Sequence, residues 1–180
     1  MTGRLIAVVG PSGAGKDTLL AAALARRPDL VLARRVITRP ESAGGEPHEE
    51  TTEEEFIRRR EAGEFVFWWE AHGLFYGVPG TVLDQVGDGR TVIYNGSRKA
   101  LPGNREAYPD LEIVVVTASD DVLAARLAAR GRETEADIRA RLARASEPAP
   151  EGARIVMNDG TVAQGAERLL AALSPEAADA

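Results

Sequence analysis

The sequence predicts an α/β domain with a parallel five-stranded sheet, helices on both faces, a small insertion and a helical lid. Three observations predict it. An apolar run, Leu5-Ile6-Ala7-Val8-Val9, leads into Gly10-Pro11-Ser12-Gly13-Ala14-Gly15-Lys16-Asp17 and then into a helical pattern from Thr18-Leu19-Leu20. Buried strand, glycine-rich loop and helix start in that order make a P-loop, so the fold is read as that of a P-loop NTPase. Four further apolar runs, at 30–37, 91–94, 112–117 and 154–157, alternate with helical patterns, as a parallel sheet with right-handed crossovers requires. The length, 180 residues, suits one domain that buries roughly two-thirds of its unfolded surface. The expected organisation is a single domain over 1–180, with the insertion at about 37–90 and the lid at about 126–146.

Arg4 to Val9 is continuous and apolar and ends in glycine, as a strand covered on both faces should. The helix after the loop carries Leu19, Leu20, Ala23 and Leu24 on one face and stops at Pro28. Leu30 to Ile37 reads as one strand leading to Thr38-Arg39-Pro40. From Glu41 to Glu50 the chain is polar and glycine-rich, and reads as a surface loop near a ligand that builds no core. Thr52 with Glu55 forms a capping-box pattern. Glu53 to Glu55 then open a helix and Arg58 to Arg60 close it, an order that suits the helix dipole better than it suits a binding patch. Phe65 to Trp69 and Leu74 to Val78, joined at His72-Gly73, read as an antiparallel pair. Thr91 to Tyr94 is a buried-type strand ending at Asn95-Gly96-Ser97-Arg98, and Glu112 to Thr117 is the next. Ser119 caps a helix that ends near Arg130-Gly131, and a second runs from Thr134 to about Ala145. Arg154 to Met157, an Asn158-Asp159-Gly160 turn and a helix over 162–173 complete the chain, with 174–180 expected to fray.

The net charge of −6 argues against a general nucleic-acid or anionic-membrane binder, while leaving room for arginines that converge on a small anion. The absence of cysteine excludes disulfides, thiolate metal sites and a cysteine nucleophile. No signal-like segment and no run near the roughly 20 apolar residues of a membrane span occurs. A soluble cytoplasmic protein acting on a small molecule, with neither nucleic acid nor membrane as partner, is the expectation. The oligomeric state is left open.

The loop's chemistry is that of phosphate binding. Glycines let successive N–H groups turn around a phosphate, and the helix start adds its positive end. Lys16 reaches the β- and γ-phosphates and stabilises the charge that spreads as a phosphoryl group leaves. Asp17 stands where a hydroxyl commonly ligates Mg²⁺. Two roles are open for it: a direct or water-mediated Mg²⁺ ligand, with Thr18 as substitute, or an anion in a first helical turn. Arg130 and Arg132 lie between two helices, and Arg141 and Arg144 share a face of the second. Arginines so placed can fold over a transferring phosphoryl group and shield it from water. Arg39 and Arg98 each follow a strand end, where such sheets bind ligands, and Gly10, Asn95 and Thr117 fall at strand ends too. His48 and His72 read as isolated turn or surface residues, and no general base is apparent.

These stretches resemble the guanylate kinase family: GPSGAGKDTLL, ITRP (37–40), EEFIRRREAGEFVFW (54–68), AHGLFYG (71–77), RLAARGRETEADIRARLARA (126–145) and VMNDG (156–160). The match covers nearly the whole chain in order, and implies a guanylate kinase-like fold. The nucleotide-reading positions depart from the family. Ser42 replaces a second arginine, an aspartate-tyrosine pair is absent from 49–54, and Phe67 falls where a glutamate reads guanine. An aromatic ring cannot accept guanine's N–H groups, so selectivity for guanine should be lost.

With Asp17 and YNGSRKALP (94–102), these departures resemble a branch of the family, the kinases of ribose 1,5-bisphosphate in bacterial phosphonate breakdown. That resemblance implies transfer from ATP to ribose 1,5-bisphosphate, giving 5-phosphoribosyl 1-diphosphate, with Mg²⁺ as cofactor. It implies that Gly10, Pro11, Ser12, Gly13, Ala14, Gly15, Lys16, Asp17 and Thr18 bind ATP with Asn158 near adenine, and that Lys16, Arg130 and Arg141 are catalytic. Arg39, Tyr76, Asn95, Ser97 and Arg98 are the expected sugar-phosphate contacts. The alternatives are a guanylate kinase acting on GMP and a non-catalytic interaction module. Such modules often lose the loop lysine or lid arginines, which this chain keeps.

Overall fold

A computed structural model describes residues 3–131 and 133–175 of the chain. β1 (Arg4–Val9) is buried at every residue after the first, as its unbroken apolar sequence requires. The five-stranded sheet has the order β2 (Val31–Leu32), β7 (Thr91–Asn95), β1, β8 (Glu112–Thr117), β9 (Arg154–Met157). β2 runs parallel to β7 with Val31 opposite Val92, and β8 runs parallel to β9 with Thr117 opposite Met157. A second sheet has the order β4 (Glu49–Glu50), β3 (Val36–Ile37), β6 (Leu74–Pro79), β5 (Phe65–Ala71). In it β6 is antiparallel to both neighbours and β4 is parallel to β3. Contacts divide the chain into two compact units: one holds Asp29–Leu111 and the chain up to Ala7, the other Val8–Pro28 and the chain from Glu112.

In the first unit the core is aromatic. Phe56, on α2 (Glu53–Glu61), stacks against Phe65 and Phe75 with centroids 4.7 and 5.4 Å away. Thr52 caps α2 by accepting the Glu55 N–H at 3.2 Å. The Glu55 carboxylate does not return to the cap as a box would have it. It binds Arg58 at 2.6 and 2.8 Å, which holds its carboxyl below the usual range. Arg59 likewise pairs with Glu49 and Glu64, both at 2.7 Å, and Arg60 lies 4.7 Å over the Trp68 ring, so the arginine run is engaged within the unit.

In the second unit α1 (Lys16–Arg26) packs on α7 (Val162–Leu173), burying Leu19, Leu20 and Ala23 on one side and Ala166, Leu169 and Leu173 on the other. α5 (Asp120–Ala129) adds Leu123 and Leu127. α6 (Glu135–Ala145) opens with a full capping box of Thr134 and Asp137, and the Thr134 hydroxyl and N–H lower the Asp137 carboxyl's pKa.

Further features differ from the sequence reading. The expected strand at 30–37 is two: Val31–Leu32 joins one sheet and Val36–Ile37 the other, with two arginines between them. The polar segment 41–50 does contribute to the interior, because Glu46 and His48 are buried and Glu49–Glu50 pairs with β3. Its polar groups are tolerated there because most of them are hydrogen-bonded. Two short helices, α3 (Val82–Gly87) and α4 (Leu101–Ala107), had no apolar stripe long enough to announce them. Ser119 caps α5 without a side-chain bond; instead its N–H donates to Asp159 Oδ1 at 2.7 Å. Most of the end expected to fray, 176–180, lies outside the described residues. Among those described, no helix is long and apolar enough to cross a membrane.

Tyr94 is fully buried and its hydroxyl accepts from Asn104 Nδ2 at 2.9 Å. Burial pushes the phenol's pKa upward, and the Asn104 bond opposes this. Tyr94→Phe leaves the buried Asn104 donor unpaired and should cost roughly 1–3 kcal/mol in urea unfolding. An unchanged midpoint at an unchanged slope would refute that.

Candidate functional site

The second unit holds the glycine-rich loop. Gly10 follows β1 so closely beside β8 that a Cβ there would lie 2.0 Å from the Val116 carbonyl oxygen. Gly15 caps α1 in the left-handed region, at φ +81°, where a Cβ would lie 2.7 Å from Asn158 Nδ2. Neither position accepts a side chain. Between them the Ala14 N–H donates to Pro11 O at 3.2 Å, closing a turn.

The loop's carbonyls are held from behind. Arg126 Nη1 donates to Gly13 O and Ala14 O at 3.2 and 3.3 Å, and its Nη2 donates to Asn158 O at 2.8 Å. Asn158 Nδ2 donates to the same Ala14 O at 2.7 Å, while its backbone N–H donates to Thr117 O. A trans peptide directs its N–H opposite to its carbonyl. Fixing the Ala14 carbonyl therefore aims the Gly15 N–H away from Arg126, at the start of α1, where an anion is favoured. Asn158 is 5% exposed and its amide is spent on the loop. Arg126 was not singled out in the sequence; its signal was an arginine beside Leu123 and Leu127 on the helix's buried face.

Lys16 is half-buried, and Ser12, Asp17 and Thr18 are exposed. Among the described residues no cluster of three or more side chains suited to a metal occurs. Mg²⁺ commonly takes one or two carboxylates and fills its shell with phosphate oxygens and water. An exposed Asp17 in the first turn of α1 fits that mode and no other side chain is required.

Arg130 is exposed at the C-cap of α5. Arg141 pairs with Glu133 Oε1 at 2.9 Å, and Arg144 Nε donates to Ala140 O on its own helix. The expected role of Arg132 falls on a residue outside those described.

In the first unit Asn95 is buried at the end of β7, and Ser97 and Arg98 follow it half-buried. Asn95 Nδ2 donates to Glu46 Oε2 at 2.7 Å, and Arg35 Nη1 donates to Asn95 O at 3.0 Å. The Arg35 guanidinium lies 5.4 Å over the Tyr76 ring, which stacks in parallel on Trp69. Arg39 donates from Nη2 to Gly44 O at 3.0 Å. His48, expected at the surface, is 1% exposed: Nδ1 faces Glu46 O at 3.1 Å and Nε2 faces Arg39 O at 3.0 Å, so it braces the 39–48 segment. His72 is an exposed turn residue at φ 54°. Tyr76 and Asn95 are thus brought together with Arg35, Glu46 and His48, three residues the sequence reading did not place in a site. The arginines interrupting 30–37 were a signal for the first of them. Phe67 is 2% exposed and packs 5.3 Å from Tyr94.

The description of the guanylate kinase family matches residues 2–174. The chain is 50% identical to the ribose 1,5-bisphosphate phosphokinase PhnN of Pseudofrankia inefficax, over 93% of this chain and 89% of that one. It is 46% identical to the bifunctional ribose 1,5-bisphosphokinase-thymidine phosphorylase of Cupriavidus necator, over 96% of this chain and only 29% of that protein's length. Among solved structures, guanylate kinase from Anaplasma phagocytophilum is similar at a TM-score of 0.70 and 20% identity, over 97% of this chain and 86% of that chain.

Arg126→Met should weaken the binding of inorganic triphosphate by about 10-fold or more, because the carbonyls lose charge-assisted bonds. Isothermal titration calorimetry reads this directly, and equal affinity in the variant would show the loop to be held without it.

Proposed function

The chain belongs to the guanylate kinase family, and from that premise we propose that it transfers the γ-phosphoryl group of ATP to ribose 1,5-bisphosphate, forming 5-phospho-α-D-ribose 1-diphosphate. The observation that carries the choice of acceptor is Phe67, a core ring packed on Tyr94 at the position where resemblance puts the guanine-reading glutamate. A buried ring offers nothing to guanine's N–H groups, whereas an acceptor without a nucleobase has no need of them. The names of the similar phosphokinases support the same acceptor. The place of the reaction would be the cytoplasm, as a step in phosphonate breakdown.

In this reading the loop from Gly10 to Thr18 cradles the ATP phosphates, and Lys16 neutralises charge on the β- and γ-phosphates. Arg130 and Arg141 close over the transferring group and exclude water, with Arg141 leaving Glu133 to do so. Asn158 keeps the loop in shape on the adenine side. Arg39, Tyr76, Asn95, Ser97 and Arg98 hold the sugar bisphosphate. An oxygen of its C1 phosphate forms the new bond to the γ-phosphorus as the bond to the β–γ bridging oxygen breaks and ADP leaves. That oxygen is already anionic near neutral pH, so no general base is needed. Mg²⁺, held by Asp17 and the phosphates, would supply further charge neutralisation.

A coupled assay of ADP release should give turnover with ribose 1,5-bisphosphate and at least about 100-fold lower kcat/KM with GMP. Preference for GMP would make the protein a guanylate kinase, and no turnover with either would make it a binding module. Asp17→Asn should raise the Mg²⁺ concentration for half-maximal rate by about 10-fold, since a charged ligand becomes neutral. An unchanged Mg²⁺ dependence would leave Asp17 as a helix-start anion.

A further inference from the structure

Resting on the sugar-bisphosphate reading, we propose that Arg35 and Glu46 form a hydroxyl-reading pair that selects a ribose acceptor over its deoxy counterpart. Both residues are buried, at 8% and 9% exposure, and their side chains are 10% and 6% exposed. Arg35 Nε stands 3.6 Å from Glu46 Oε1, and neither atom has a hydrogen-bond partner. That separation is too long for a hydrogen bond between them. A direct charge-assisted hydrogen bond between them would stand at about 2.8 Å.

Neighbouring atoms of the pair are bonded and hold the two where they are. Glu46 Oε2 is taken by Asn95 Nδ2, Arg35 Nη1 is taken by Asn95 O, and Tyr76 lies under the guanidinium. Among the atoms left over, one buried donor stands beside one buried acceptor. An oxygen about 2.8 Å from each would span the gap, and it must both accept and donate. A phosphate oxygen would suit Arg35 and be repelled by Glu46; an ammonium group would do the reverse. A hydroxyl serves both, donating to Oε1 and accepting from Nε. With C1 and C5 esterified, ribose 1,5-bisphosphate offers its 2- and 3-hydroxyls. Both protein atoms are shielded from water, so the hydroxyl enters as the 39–48 segment shifts, a segment otherwise braced by His48 and by Arg39 on Gly44 O.

The test compares ribose 1,5-bisphosphate with its 2-deoxy and 3-deoxy analogues in the whole protein, Glu46→Gln and Arg35→Lys. Glu46→Gln keeps the shape, and because Asn95 requires the amide oxygen, it places an N–H₂ group where Oε1 was. In the unsubstituted protein one deoxy analogue should lose on the order of 100-fold in kcat/KM. In Glu46→Gln that penalty should shrink to a few-fold, and Arg35→Lys, which keeps the charge but lacks Nε, should shrink it too. A merely structural role lowers all three substrates alike and preserves the penalty, which would overturn the pair, as would the absence of any penalty in the unsubstituted protein. If the unsubstituted protein fails to turn over ribose 1,5-bisphosphate itself, the acceptor reading falls and the pair falls with it, an outcome distinct from the others. Should Glu46→Gln not fold, Arg35→Lys decides alone.

Discussion

The carbonyl of Ala14 is the point on which the second unit's site depends. It accepts from both Arg126 Nη1 and Asn158 Nδ2, and the latter residue is itself pinned by Arg126 through its own carbonyl. A peptide plane has two faces to offer, and securing the oxygen commits the hydrogen to the other side. A phosphate-binding loop needs that commitment before a ligand arrives, because reorganising its dipoles during binding or transfer would cost affinity and rate. Glycine at position 15 is part of the same constraint, since any side chain there would collide with Asn158.

The first unit solves a different problem, the burial of charge. A guanidinium, a carboxylate, an imidazole and an amide lie together there with little exposure. Burial of such groups is costly unless hydrogen bonds and opposite charges replace water. Most of the replacements are present: Asn95 serves both Arg35 and Glu46, backbone carbonyls face both His48 nitrogens, and Tyr76 covers the cation. Such a network is rigid where it is complete and open to a ligand where it is not.

Phe67 and Asp17 show how a shared framework accommodates departures of different kinds. Phe67 is absorbed into the aromatic core beside Tyr94, so an aromatic ring at this position adds to packing. Asp17 is exposed in the first turn of α1, where its charge is welcome on the helix. One departure removes a hydrogen-bonding function and the other adds a charge, and neither disturbs the strands and helices around it.

Local pattern was enough to read much of this protein. The buried strand before the loop, the loop's glycines, the helix after it, the His72-Gly73 turn and the extent of α6 all follow from short-range sequence, because each depends on residues within a few positions of one another. The division of 30–37 between two sheets was not legible, since an apolar run states that it is buried and not against what. Nor was the burial of Glu46 and His48 in a polar, glycine-rich segment, because composition cannot reveal hydrogen-bond partners that arrive from 34–39 and from Asn95. Arg126 is the same lesson at greater distance: its partners, Gly13, Ala14 and Asn158, are 113, 112 and 32 residues away. The sequence by itself determined most of the longer elements and the glycine-rich loop between the first strand and helix. Tertiary structure alone decided which polar side chains hold that loop and which buried polar atoms lack a hydrogen bond, because a hydrogen bond between distant residues exists only once the chain has folded.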